Sequence, residues 1–274
     1  MKKMKRITLS GFFLTLIFIL INIIDSYAYD GLLFRPLTAN TFEPRVGVMY
    51  QFNDKKLRLD IGNSIDLLGF NLSDNSELRI GTDFFTYTRL RSEGNFKFPV
   101  ETSDYFFGLN TSFKETIGEF EYSGRLRVAH ISSHLVDGLA KDTVFSQMPF
   151  VYSREFVDLV GAATYKNLRL YMGFNYIFST IPKDPKPINI QLGFDYRTPL
   201  NSWLSFLAGY DFKLNGFGNI YSGVNSLQAG LFFRTSGNIG IGINVYQFDG
   251  NSIHGMFYNH YENYFALGFQ VYFY

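Results

Sequence analysis

The stretch RLRVAHISSHLVDGLAKD, Arg125 to Asp142, holds two of the chain's four histidines beside a pair of serines. A serine hydroxyl becomes a nucleophile only with a base in hydrogen-bond reach and a third group that orients the base. His130 and Ser132 are two apart, a spacing that on a strand puts both side chains on one face, with Cα atoms about 6 to 7 Å apart. Glu155, in PFVYSREFVDLVG, is the acid that a neighbouring strand would bring to His130, and Asp137 and Asp142 are rival orienters from the intervening loop. Such a triad performs acyl transfer, which also needs an oxyanion donor; a loop amide and a bound divalent cation are the alternatives. No cofactor is otherwise required. His130 and His134 have the spacing of metal ligands on a helix, which a strand passing into a loop does not provide, so no metal site is read there. His254 and His260, in HGMFYNHYEN, read as solvated loop residues.

Whether these groups meet depends on the elements that carry them. Phe (31), Tyr (19) and one Trp stand beside 25 Gly and no Cys in 274 residues, a mix that favours extended structure and leaves nothing for disulfides or thiolate metal sites. Helical stripes are hard to find, whereas alternation is everywhere. In KNLRLYMGFNYIF one parity carries Leu168, Leu170, Met172, Phe174, Tyr176 and Phe178, and the other carries Arg169, Tyr171, Gly173 and Asn175. PINIQLGFDYR and NIGIGINVY repeat the scheme. Counting such runs predicts about twelve strands, near residues 44–52, 56–66, 76–89, 104–114, 117–131, 149–163, 167–179, 187–197, 203–213, 225–235, 238–248 and 262–274.

Strands of ten or more residues, apolar on one parity throughout, exceed those of soluble sheets and match the tilted span of a membrane barrel. A bilayer tolerates backbone polar groups only if the sheet closes on itself. The expected fold is therefore all-β, a single closed antiparallel transmembrane barrel of about twelve strands. Loop lengths agree: KET, TYKN, TPLNS and TSGN alternate with long connections, as short periplasmic turns alternate with external loops. Only the short NDKK and the following LLGFNLSDNS run against the rule. Arg125, Arg127, Arg154, Arg169, Asp195, Arg197 and Arg234 then face the lumen, either lining a pore or forming a salt-bridged plug. His130 and Ser132 fall on the opposite, outward parity near the external rim, where Glu155 also points; a carboxylate there needs a partner.

The closing YFALGFQVYFY resembles the last strand of bacterial outer-membrane proteins, which implies recognition by the barrel-assembly machinery. An outward His-x-Ser pair is similar to that of two families, the outer-membrane phospholipases A and the lipid A deacylases, in which an Asn or Glu orienter follows. That resemblance implies His130 as base and Ser132 as nucleophile, although Ser133 stands where those families tend to place Asn. HISSHLVDG, YSREFVDLV, LRLYMGFNYIF and the early LFRPLTANTFEPRVGVMY together resemble a family of bacterial outer-membrane proteins known only as a domain of unknown function. It implies a barrel and no activity. Two functional classes follow: a structural or transport-type barrel, and a surface lipid hydrolase acting through His130 and Ser132.

The N-terminus reads as an export signal over residues 1–28, followed by the barrel over 29–274: Lys2, Lys3, Lys5 and Arg6 precede an apolar run from Ile7 to Ile24 and a Ser26-Tyr27-Ala28 cleavage site. Its removal leaves 21 basic residues against 23 acidic ones, a formal charge of −2 that gives no reason to invoke nucleic acid. The expected location is the bacterial outer membrane, with its lipids and lipopolysaccharide as partners. Sequencing of the membrane-extracted protein is expected to begin at or next to Tyr29; a start at Met1 would mean that the apolar run is kept as an anchor.

Overall fold

The computed structural model describes residues 31–141, 144–235 and 239–273, so the leader, Asp142 and Tyr274 lie outside the described residues. The chain runs through β1 (Val46–Gln51), β2 (Lys56–Ser73), β3 (Ser76–Arg91), β4 (Val100–Ile117) and β5 (Phe120–Leu135). A loop then carries a 3₁₀ turn at Asp137–Leu139 and a separate two-stranded hairpin, β6 (Ala140–Lys141) with β7 (Val144–Phe145). The circuit resumes with β8 (Tyr152–Tyr165), β9 (Leu168–Ile181), β10 (Ile188–Pro199), β11 (Leu204–Phe217), β12 (Ile220–Arg234), β13 (Ile239–Asn251) and β14 (Tyr261–Phe273). Every barrel strand pairs antiparallel with its neighbours, β5 directly with β8, and β14 closes on β1 from Val46 opposite Val271 to Gln51 opposite Ala266. The barrel thus has twelve strands and no free edge.

The alternation sorts side chains as the pleat requires. On β9, Leu168, Leu170, Met172 and Phe174 face outward and are exposed, while Arg169 and Tyr171 are buried inside. The outer face is a continuous apolar band that includes Leu126, Val128, Leu159, Leu192, Ile243 and Phe269.

The lumen is filled. Residues 31–45 fold into its short-turn half, burying Phe34 and Leu37 against Val160, Ala162 and Tyr171. Arg125 donates to both Glu43 carboxylate oxygens, at 2.9 and 2.5 Å, and Arg127 reaches the same group at 3.3 Å and Asp83 at 2.8 Å. Arg169 pairs with Asp195 and donates to the carbonyls of Arg35 and Pro36 at 2.9 and 3.0 Å, while Thr38 N–H donates to Asp195 at 2.9 Å. Arg58 pairs with Asp60 at 2.7 Å and donates to the Thr41 carbonyl at 3.0 Å. Charges this deeply buried persist only when paired, which is what the inserted segment achieves. The opposite mouth is closed by residues 252–257 of the β13–β14 connection, whose Phe257 ring lies 3.4 Å from the Arg89 guanidinium.

Two connections differ from the alternation-based expectation. LLGFNLSDNS is mostly strand: β2 runs to Ser73 and only Asp74 and Asn75 turn. Register shifts at Asp66/Leu68 and Asn71/Ser73 place two residues opposite one, which breaks the period of two and conceals the strand while restoring the short-turn rule at that end. KLNGFGNIYSGV, expected as a long loop, is a hairpin tip in which β11 and β12 stay paired up to Phe217 and Ile220. The turn rests on Gly218 at φ +52°, and the neighbouring loop braces it through Lys186 N–H to the Gly216 carbonyl and Gly218 N–H to the Asp184 carbonyl, both at 2.8 Å.

The Glu43 clamp has a pH signature. Burial alone would raise the Glu43 pKa, but the Arg125 and Arg127 charges and their hydrogen bonds outweigh it and hold the carboxyl at about 2, against an ordinary 4.5. A depressed folded pKa contributes stability that is present above the ordinary carboxylate value and lost as pH falls toward about 2. Glu43→Gln is therefore expected to destabilise the detergent-solubilised barrel by about 3 to 5 kcal/mol at neutral pH. Heat-shift electrophoresis should show a lowered unfolding temperature, with a gap to wild type that narrows as the pH is taken below 4.5.

Candidate functional site

The outward residues of β5 and β8 form paired rows: Leu126 opposite Leu159, Val128 opposite Val157, His130 opposite Glu155, and Ser132 opposite Ser153. The band is apolar until its last two rows before the long loops, where it turns polar. His130 Nδ1 lies 2.9 Å from Glu155 Oε1. With the carboxylate ionised, Nδ1 carries the proton of that bond and Nε2 keeps its lone pair, the arrangement of a general base. The pair is partly sheltered, its side chains 42% and 27% exposed.

Glu155 has further donors. The Ser153 and Ser179 hydroxyls also bond to its carboxylate. Ser179 arrives by a bulge: Phe156 faces Ile177 but Glu155 faces Ser179, so Phe178 is the extra residue and both it and Ser179 are exposed on the outside. A lone carboxylate in an apolar band is costly, and three donors offset that cost. Ser153 shares the outward parity of Glu155 and is legible in the sequence, whereas the bulge that delivers Ser179 has no signal in a period-two pattern.

Ser132 lies on the same face, one position above His130, and among the described residues no hydrogen bond ties its hydroxyl. Asp137 is exposed in the 3₁₀ turn beyond the end of β5, and the other rival, Asp142, lies outside the described residues. His134 also faces outward, with its ring edge-on to Tyr105 at 5.8 Å. Among the described residues no three His, Cys, Asp or Glu side chains gather into a metal site.

Inside, Arg125, Arg127, Arg169 and Asp195 are buried in the ion-paired network already described. Arg154 sits over the Phe42 and Phe156 rings at 5.2 and 5.3 Å, and Arg197 over Phe232 at 4.3 Å. Arg234 is exposed at the short-turn mouth, its backbone N–H bonded to the Trp203 carbonyl at 2.8 Å. The reading of His254 as a solvated loop residue is corrected: it is 1% exposed, with Nδ1 2.7 Å from Asp104 Oδ2, and Gly255 N–H donates to the other Asp104 oxygen at 2.7 Å. The loop folds back into the mouth because an inward carboxylate of β4, 150 residues earlier, waits there. His260 is exposed.

Solved structures share this architecture. Outer membrane phospholipase A from Escherichia coli aligns with a TM-score of 0.52 at 13% identity, over 86% of this chain and 94% of that one. The transport unit of the autotransporter AIDA-I from Escherichia coli aligns with a TM-score of 0.51 at 10% identity, over 89% and 94%. At such identities the likeness is one of fold, the closed barrel of outer-membrane proteins. No curated protein sequence matches the chain. Residues 26–274 match the family described as Protein of unknown function (DUF1207), and the chain belongs to that family.

Proposed function

We propose that the protein is a bacterial outer-membrane barrel that hydrolyses lipid acyl esters at its outer face, with Ser132 as nucleophile, His130 as base and Glu155 as the orienter of His130. The observation that carries this reading is the 2.9 Å contact of His130 Nδ1 with Glu155, on the lipid-facing side of the barrel and one row from an untied serine. The export signal and closing-strand motif expected from the sequence accord with it, as does the fold shared with outer-membrane barrels. Outer-membrane lipids and lipopolysaccharide are then the surroundings of the site.

In this mechanism the Ser132 hydroxyl oxygen attacks the acyl carbonyl carbon while His130 Nε2 takes its proton. The tetrahedral intermediate collapses with cleavage of the ester C–O bond, and the imidazolium returns the proton to the departing alcohol. Water then attacks the acyl-serine with the same base, releasing the fatty acid and restoring Ser132. Glu155 holds the Nδ1 proton and stabilises the imidazolium, and Ser153 and Ser179 keep that carboxylate in place. The Ser132 to His130 hydrogen bond forms on substrate binding, as such bonds commonly do.

The filled lumen weighs against the transport-type alternative. Residues 31–45 are buried in one half of the barrel and 252–257 at its other mouth, so planar-bilayer recordings are expected to show no conductance steps. Steady channel openings would favour transport.

The hydrolase reading is tested in mixed micelles by fatty-acid release. Ser132→Ala and His130→Asn should each lower kcat by at least about a thousandfold, and Glu155→Gln by about a hundredfold or more. Unchanged release from Ser132→Ala would remove the proposed nucleophile. All three side chains lie on the outer face, so heat-shift electrophoresis should find the barrels folded.

A further inference from the structure

Beyond the Ser153 end of the polar row, the long loops line an open cleft of about 760 Å³. Its walls come from Ser146, Gln147, Met148, Phe150 and Val151 before β8, from Ile181 at the end of β9 and Pro182 after it, and from Tyr258, Asn259 and His260 before β14. Val151 is the next outward position after Ser153, and Ile181 is the register partner of Ser153 on β9. The cleft therefore opens about 7 Å beyond Ser153 and twice that from Glu155 along the strand.

Three features define what it takes. The described lining residues include one histidine and no Asp, Glu, Lys or Arg, which suits an uncharged ligand. Phe150 and Tyr258, whose rings meet edge-on at 6.3 Å, line it together with Asn259 and with Ser146 and Gln147, which donate to the Leu139 and Met256 carbonyls and keep oxygens that can accept; aromatic surface beside such polar groups is the pairing that recognises a ring bearing hydroxyls. The walls are also held in place. Tyr258 OH donates to Asp184 Oδ2 at 2.5 Å, its ring packs 6.0 Å from those of Tyr152 and Phe217, and Gln147 Nε2 donates to the Met256 carbonyl at 2.6 Å.

We propose that this cleft is the alcohol-side subsite of the outer-face site and that it binds the uncharged sugar ring of a glycolipid. The proposal rests on the hydrolase reading for its orientation. With the ester carbonyl at Ser132 and the acyl chain along Val128, Leu126, Val157 and Leu159, the cleft beyond Ser153 is placed to take the alcohol portion.

The test has a binding arm and a turnover arm, both on the full barrel in an uncharged detergent that is not a glycoside. Saturation-transfer NMR with methyl β-galactoside should show transfer from the Ser132→Ala barrel, and loss of it in Tyr258→Ala and in Met148→Glu, which puts a charge into the cleft from an exposed position. In turnover, monogalactosyl diacylglycerol should be preferred to phosphatidylglycerol of the same chains. Both cleft variants should raise its KM roughly tenfold, about the worth of one aromatic contact. Transfer that is absent, or unchanged in both variants, overturns the proposal, as does a preference for phosphatidylglycerol. If the galactoside binds in a Tyr258-dependent way but no ester is cleaved, the sugar site stands and the hydrolase reading falls. If esters are cleaved with no preference for the galactolipid, the reverse holds.

Discussion

The arrangement depends on the carboxylate of Glu43, held by Arg125 and Arg127 inside the barrel. A closed sheet of twelve strands satisfies its own backbone, but its inward parity still has to place a crowd of arginines where little water reaches. Burying a guanidinium without a partner costs several kcal/mol, so the lumen must hold acids or carbonyls at matching heights. Residues 31–45 supply both: Glu43 as a shared counter-ion, and the carbonyls of Arg35, Pro36 and Thr41 as acceptors for Arg169 and Arg58.

The outer surface obeys the opposite rule. Facing hydrocarbon, it is apolar row after row until the rim, and there the polar groups come as a satisfied set: one carboxylate with an imidazole and two hydroxyl donors. Such a set survives in a low dielectric because each member stabilises another, and the same low dielectric strengthens the hold of Glu155 on the imidazole. Ser132 is the member left untied. The cleft above it is built from loops that share Tyr258 as a common prop, so the polar row and the loop wall form one continuous surface from membrane to solvent.

Much of this was legible in the residues. Period-two alternation located all twelve strands to within a few residues at most of their ends, and parity alone assigned Arg125 and Arg127 to one side and His130, Ser132 and Glu155 to the other. Glu155 could be named as the partner of His130 because a carboxylate in an apolar band requires one. The failures share a cause. Bulges in β2 concealed its second half, a bulge at Phe178 concealed Ser179, and the glycines around Gly218 hid a hairpin. Each breaks the period on which the reading relies.

What the sequence determined by itself is the local order of each strand: its length, its two faces and the end at which its polar rows fall, because these follow from side-chain alternation along a single stretch of chain. What only the tertiary structure decided are pairings across long separations. That residues 31–45 enter the lumen, that His254 turns inward to Asp104, and that three loops meet around Tyr258 depend on where distant segments arrive once the sheet closes. Closure sets the register of every strand against its neighbours, and register is a property of the whole circuit that no single strand carries.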